Sequence, residues 1–431
     1  MDTVAFHTLG CKVNQTETAA LQYLFESAGY RTVPFSTPAD VYVINTCTVT
    51  HLGDRKSRQV VRRARRINAD SVIVVTGCYA QVAPEDVMAI PEVDLIVGTH
   101  SRGKLPELVL ETKQKGRLNC VSPLEEKGGF ESLPAAQTGS RTRAFLKVQE
   151  GCRQYCSYCI VPYARGPLYS RHPEDAVVEA RRLAQSGFKE LVLTGVHLGS
   201  YGVDLPGNIA LSDLITRISP IDGIERIRIS SVEPTEITPD LIETVMEHNK
   251  VCRHLHIPLQ SGDDLILRRM NRKYDSGEFL YLVRWLQAQI PDIALTTDVM
   301  VGFPGETTEQ FAHSLGLIQR AGFSRLHIFK YSPRQGTPAA KFPDQVPHPV
   351  KEERARQLTQ LGDELASCYR ERFVGKTVNV LFEEKAGRSK LAGLTEHYIR
   401  VTAKAAESLL GHLVQVKVTG NGEKELTGEI V

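Results

Sequence analysis

The chain has 431 residues and nine cysteines, and its 52 Lys and Arg against 50 Asp and Glu leave a formal net charge of +2. That length exceeds one ordinary core and predicts two or three domains of roughly 100–200 residues each. The charge balance excludes a chain that is basic throughout, no stretch nears the ~20 apolar residues needed to span a bilayer, and residues 1–10 lack the pattern of a secretion signal. A cytoplasmic protein without a membrane partner is expected, and in a reducing compartment nine cysteines read as metal ligands or buried residues rather than disulfides.

Residues 1–131 alternate strand candidates (4–9, 41–45, 72–76, 95–97) with helical patterns (15–27, 52–66), which predicts an α/β unit with an open parallel sheet. The helix at 52–66 is strongly basic, and the polar stretch 125–142 reads as a linker. Across residues 143–372, six strand candidates (144–149, 191–194, 226–230, 254–258, 294–301, 326–330) alternate with helices. Six such units predict a partial (β/α)6 barrel, smaller than the usual eight, and a last helix at 350–373 leaves it. Residues 373–431 hold short strand candidates at 377–382, 398–403, 413–419 and 426–430, with turns at Gly393, Gly411, Gly420 and Gly422, as in a small antiparallel barrel.

The strongest chemical signal is Gly151-Cys152-Arg-Gln-Tyr-Cys156-Ser-Tyr-Cys159, directly after the first barrel strand, where barrel enzymes carry their active sites. Four thiolates normally complete a [4Fe–4S] cluster; three leave one iron open for the amino and carboxylate groups of S-adenosylmethionine (SAM). Zinc remains as an alternative, although it usually takes four ligands and the nearest further donor is His172. The Cys-x3-Cys-x-aromatic-Cys pattern resembles the radical SAM superfamily. That resemblance places Tyr158 near the adenine. It also assigns SAM contacts to the segments after the next four strands: Gly195 and His197, then Ser231 and Glu233, then Gln260, then Asp298 in the stretch ending Gly302-Phe-Pro-Gly305-Glu306.

Cys11, Cys47 and Cys78 each follow a predicted strand of the N-terminal sheet, and the ligand crevice of such a sheet lies beyond the carboxyl ends of its strands. Three strands can therefore bring three thiolates to one point, the alternative being three unrelated buried cysteines. No placement links Cys120, Cys252 and Cys368. Thr8-Leu-Gly-Cys11-Lys-Val-Asn14-Gln15, Asn45-Thr-Cys47-Thr-Val-Thr50 and the order of domains resemble the methylthiotransferase family over essentially the whole chain. The resemblance implies a second [4Fe–4S] cluster on Cys11, Cys47 and Cys78 and a TRAM-like RNA-binding barrel at the C-terminus. It implies that one SAM methylates a sulfur held at the N-terminal cluster. A second SAM is cleaved to a radical that takes hydrogen from C2 of adenine. The residues around Cys11 and Cys47 look like the branch acting on N6-threonylcarbamoyladenosine at position 37 of tRNA. The branches acting on isopentenyladenosine or on a ribosomal protein aspartate are the alternatives, with a noncatalytic RNA-binding scaffold as a third. Such chemistry needs an electron donor, such as flavodoxin or ferredoxin, and a sulfur donor.

An anticodon-loop base is already unpaired, so its extrusion costs little. Arg55, Arg58, Arg62, Arg65 and Arg66 recur at helical spacing and are the candidate phosphate contacts, with a solvated helix face as the alternative. Lys385, Arg388, Lys390, Arg400 and Lys404 add positive charge to the small barrel. Arg165, just past the cysteine loop, is a candidate for recognising the threonylcarbamoyl group.

Overall fold

In the computed structural model, which describes residues 1–48, 51–124, 128–134 and 142–431, the described N-terminal part holds six strands and five α-helices. They run β1 (Thr3–Thr8), α1 (Lys12–Ser27), β2 (Arg31–Thr32), β3 (Val41–Thr46), α2 (His51–Ile67), β4 (Val72–Gly77), α3 (Cys78–Val82), α4 (Pro84–Met88), β5 (Leu95–Val97), α5 (Leu105–Lys115) and β6 (Leu118–Cys120). The strands pair in the order β2-β1-β3-β4-β5-β6, all parallel. β3 and β4 are buried at every position, as central strands covered on both faces must be. Because successive side chains alternate faces, Tyr42 and Ile44 pack with Val61 and Ala64 of α2, while Val41 and Val43 pack with Leu21 and Phe25 of α1. Most of the expected linker at 125–142 lies outside the described residues.

The middle of the chain continues with β7 (Arg143–Lys147), β8 (Gln149–Glu150), α6 (Val161–Arg165), β9 (Tyr169–Ser170), α7 (Pro173–Gln185), β10 (Glu190–Thr194), α8 (Leu211–Ile218), β11 (Arg226–Ile229) and α9 (Pro239–Glu247). There follow β12 (His254–His256), α10 (Asp264–Arg269), α11 (Ser276–Gln289), β13 (Ala294–Val301), α12 (Thr308–Ala321), β14 (Arg325–Lys330) and α13 (His348–Glu371). Two parallel ladders, β11-β10-β7 and β12-β13-β14, are joined by parallel bridges at Ile227–Val251 and Ser231–His256. The result is the six-stranded open barrel, β7-β10-β11-β12-β13-β14. The strand expected over 144–149 breaks at Val148, and β8 turns away to pair antiparallel with β9. The turn ends at Gly151, whose φ of +79° and contact with the Pro167 carbonyl, 1.7 Å from where a Cβ would stand, admit only glycine.

Residues 377–430 form a closed barrel, β15 (Thr377–Lys385), β16 (Lys390–Thr395), β17 (Arg400–Lys404), β18 (Leu413–Asn421) and β19 (Leu426–Ile430), in the order β15-β16-β17-β19-β18. Four pairings are antiparallel and β17–β19 is parallel. Gly393, expected as a turn, lies inside β16: a Cβ there would stand 2.0 Å from the Leu381 carbonyl, so glycine serves close strand approach. Gly420 likewise sits in β18, at a register shift.

This barrel caps one end of the larger one. Arg226 donates to the carbonyls of Leu394 (2.7 Å) and Asn379 (2.6 Å), Arg228 to that of Glu396 (2.9 Å), and Arg143 pairs with Glu383. Tyr398 lies 4.7 Å from the Arg228 guanidinium and 5.0 Å, ring to ring, from His254. Arg143, Arg226 and His254 begin their strands, so the small barrel is the floor at the amino ends and the cysteine loop lies at the opposite end. No helix among the described residues is long and apolar enough to cross a membrane.

Candidate active site

The loop after β8 carries Cys156 buried and Cys152 and Cys159 half-buried. Its shape is imposed from outside: Tyr155 adopts φ +47° while Asn271 donates to the carbonyls of Gln154 (3.3 Å) and Tyr155 (3.0 Å). The backbone N–H groups of Gln154 and Val161 donate to the sulfurs of Cys152 and Cys159, each at 3.4 Å, and Arg272 Nη1 donates to Cys156 Sγ at 3.3 Å. Burial pushes the Cys156 thiol up, against the pull of Arg272, and takes Cys159 to about 12. Without metal these thiols keep their protons; a cluster would displace them, and the same donors would stabilise the thiolates.

Of the strand-end candidates, Gly195, His197 and Glu233 are tied to that loop through Gln149, Gln154 and Arg272. A Cβ on Gly195 would touch Gln149, whose Oε1 accepts the His197 N–H at 2.6 Å and whose Nε2 donates to the Gly151 carbonyl at 2.9 Å. Gln149 thereby ties the second strand's loop to the cysteine loop. Burial opposes protonation of His197, but hydrogen bonds to Cys152 and Glu236 outweigh it and push the imidazole up to about 10. Glu233 forms an ion pair with Arg272, and Ser231 is exposed. Gln260 has φ +64° and bridges to β13, accepting from Met300 N and donating its N–H to the Asp298 carbonyl, both at 2.8 Å. A non-glycine residue held in that region costs about 1–3 kcal/mol, strain that clusters at ligand sites. The Asp298 side chain is not free: it stands 3.2 Å from His256 Nε2. Tyr158 packs against a small apolar cluster with Met270, Phe303 and Tyr331.

The N-terminal cysteines follow three adjacent strands, β1, β3 and β4. Gly10, at φ +112°, brings the backbone so close that a Cβ would lie 2.7 Å from Cys47 Cβ. The thiols of Cys11 and Cys47 are both near enough to raise that of Cys78, which burial takes to about 11. Among the described residues no three His, Cys, Asp or Glu side chains stand close enough to share one metal ion. A [4Fe–4S] cluster is larger than a single ion and would take each thiolate at a separate iron, which suits two open cysteine triplets with glycine beside them.

Arg165 reaches from the segment after the cysteine loop to the N-terminal triplet. It ends α6, six residues after Cys159, and its Nε donates to Cys78 Sγ at 3.3 Å. Its other nitrogens reach Asn14 Oδ1 (2.7 Å), Glu150 (3.1 Å) and Glu17. Glu17 also pairs with Arg102 (2.6 Å) and Lys147 (2.9 Å), all of them buried. Burial alone would raise the Glu17 carboxyl, but Arg102, Arg165 and Lys147 hold it well below the usual range. The expectation that Arg165 contacts a substrate therefore fails: it is buried in a charge network between sheet and barrel. Arg272, Asn271 and Gln149 were not singled out from sequence, and Asn14 stood only as part of the motif around Cys11. Each acts on a distant segment, and no local pattern marks that.

The arginines of α2 divide. Arg55, Arg62 and Arg66 are exposed, while Arg58 donates to the Tyr79 hydroxyl at 3.0 Å. Arg65 departs from the phosphate-binding expectation, because it pairs with Asp94 at 2.6 Å and donates to the carbonyls of Ala69, Ser71 and Glu92.

Residues 3–98 match the model of the uncharacterized protein family UPF0004, and residues 146–318 match the radical SAM superfamily. The chain is 46% identical, over 100% of its own length and 97% of the relative's, to the threonylcarbamoyladenosine tRNA methylthiotransferase MtaB of Bacillus subtilis. It is 39% identical to the protein of the same name from Aquifex aeolicus, covering 96% of this chain and 100% of that one. It is 37% identical to a tRNA-2-methylthio-N(6)-dimethylallyladenosine synthase of Clostridium novyi, covering 98% and 95%. In fold it is similar to the radical SAM methyltransferase TsrM of Kitasatospora setae, with a TM-score of 0.58 at 14% identity over 79% of this chain and 77% of that one. SAM and [4Fe–4S] chemistry come with this kinship, and the chain belongs to the radical SAM family of tRNA methylthiotransferases.

Proposed function

We propose that the protein methylthiolates C2 of N6-threonylcarbamoyladenosine at position 37 of tRNA. In this reading one [4Fe–4S] cluster is held by Cys152, Cys156 and Cys159 and a second by Cys11, Cys47 and Cys78. The observation that carries it is that buried Arg165, which ends the short helix after the Cys152–Cys159 loop, donates to Cys78 of the N-terminal triplet. Clusters and SAM would supply the radical and sulfur chemistry. The chain's own part is to hold thiolates with Arg272, Arg165 and backbone N–H groups, to position SAM at the strand ends, and to present the base. An electron donor of the flavodoxin or ferredoxin kind and a sulfur donor complete the system.

The names of the relatives from Bacillus subtilis and Aquifex aeolicus support the threonylcarbamoyl substrate, and the dimethylallyladenosine relatives at 37–38% identity supply the competing one. Exposed Arg55, Arg62 and Arg66 favour RNA over a protein side chain as substrate. Mass spectrometry of tRNA nucleosides from a strain lacking this protein tests the reading. Loss of 2-methylthio-threonylcarbamoyladenosine, restored by the wild type and not by Cys11→Ala, is expected. Loss of the isopentenyl product instead would move the assignment to the other branch.

A further inference from the structure

The segment that follows β14 touches both cysteine-bearing regions. Its hold on the N-terminal part is Arg334. That guanidinium forms an ion pair with Asp54 of α2 and donates from a second nitrogen to the hydroxyl of Thr48, the residue after Cys47. Thr48 in turn donates to Asp54 at 3.0 Å. All three side chains are buried. A charge is tolerated out of water only when it is paired and hydrogen-bonded, and removing one partner leaves the other stranded. The chain just past Cys47 is therefore fixed to the barrel side of the molecule.

A few residues on, the same segment holds the other cysteine loop. Ala339, fully buried, donates its N–H to the carbonyl of Ser157, between Cys156 and Cys159, at 2.8 Å. It also packs in the apolar cluster of Met270, Phe303 and Tyr158. Between these two attachments the chain has little freedom. Thr337 donates both its N–H (3.0 Å) and its hydroxyl (2.7 Å) back to the Arg334 carbonyl, which closes a turn, and Gly336 takes φ +89° with a Cβ position 3.4 Å from Ile160. The root of the segment is fixed as well: the Tyr331 N–H donates to Val301 at 2.9 Å, and its carbonyl accepts from Lys351 Nζ of α13 at 3.0 Å.

We propose that the stretch from Arg334 to Ala339 is a spacer that sets the separation of the two cysteine triplets, with Arg334 as its positioning residue. The inference rests on the two-cluster reading given above. Chemistry that begins at one triplet and ends at the other depends steeply on their separation, since about 1 Å of misplacement can cost about a hundredfold in rate. Arg165 does not fix that separation by itself. It binds Cys78, which follows β4, whereas Cys47 follows β3 on a segment of its own. Arg334 supplies the hold on that second segment, and Ala339 refers it to the loop between Cys156 and Cys159.

The test uses the full-length protein reconstituted with iron and sulfide. Electron paramagnetic resonance reads the magnetic interaction between the two reduced clusters, which varies steeply with their distance. Iron per chain and SAM cleaved per methylthio group transferred are measured on the same samples. In Arg334→Gln the iron should stay at the wild-type level and the magnetic interaction should change. SAM cleaved per transfer should rise by up to about a hundredfold. Thr48→Val keeps the ion pair and the fold while removing one acceptor, and should give a smaller change in the same direction. Asp54→Asn should match Arg334→Gln, and the double variant should be no worse than either single one. An unaltered magnetic interaction in these variants, with SAM cleavage still coupled to transfer, overturns the proposal. So does a loss of iron in step with activity, which would make Arg334 a support for one cluster and not a spacer between two. A wild type that binds iron for only one cluster would sink the two-cluster reading itself, whatever the variants do.

Discussion

Gly10 leaves no room for a methyl group, since a Cβ would meet Cys47 at 2.7 Å on a backbone at φ +112°. Gly10→Ala is therefore expected to spoil the N-terminal triplet and leave the loop at Cys152 intact. Iron per chain should fall to roughly half, while reductive cleavage of SAM without product continues. Equal iron in variant and wild type would separate Gly10 from metal binding. Arg165 makes a different prediction. Arg165→Gln leaves Glu17 and Glu150 buried with one guanidinium fewer, which costs about 3–5 kcal/mol and should appear as a lower urea midpoint. Arg165→Lys should recover little, because a point charge cannot reach Cys78, Asn14 and two carboxylates together. The cysteine triplets stand out in the sequence by local signals, Cys152, Cys156 and Cys159 by their spacing and Cys11, Cys47 and Cys78 because each follows a predicted strand. Arg165 was visible only as a residue near the loop. Its partners at positions 14, 17, 78 and 150 come together through the packing of sheet on barrel, which no sequence window contains.

Among the elements, α2 shows how a charge run divides on folding. The helix places Val61 and Ala64 against the sheet, and the arginines around them fall on flanks that differ in exposure. Glutamine at Arg55, Arg62 or Arg66 is expected to weaken tRNA binding uniformly across sequences and to lower the salt slope by about one each. Arg65→Gln should leave that slope unchanged and lower stability instead, since it breaks the contact with Asp94 and three carbonyls. Strands were read well where their apolar runs were unbroken, as in β3, β4 and β13. β16 was missed because Gly393 reads as a turn, whereas its role is to let β15 approach. The end of the first barrel strand was drawn too long, because Val148-Gln149 carries strand-like residues through the point where the chain leaves the ladder.

For the whole molecule, the seam between the two barrels and the network between sheet and barrel both predict acid lability. His397 packs on Phe373 with neither ring nitrogen bonded, and burial lowers it from 6.5 to about 3. Its folded pKa is depressed, so the unfolded chain takes up a proton first as pH falls. Stability is full above 6.5 and drains away as pH drops toward about 3, by at most about 1.4 kcal/mol per unit. Glu17, also depressed, adds a loss in the acid range for the same reason. Denaturant melts between pH 7 and 4 should show the decline, and His397→Leu should flatten its upper part. An unchanged slope in that variant would mean that the histidine is solvated.

The floor provided by Tyr398 has a consequence for anyone who would recombine these enzymes. The small barrel is joined to the rest by one helix and looks detachable, yet its backbone carbonyls accept from Arg226 and Arg228, and its tyrosine ring lies against both Arg228 and His254. A chimera carrying a relative's C-terminal barrel would inherit a different floor along with it. Its catalytic chamber would change although no residue of the chamber wall had been touched.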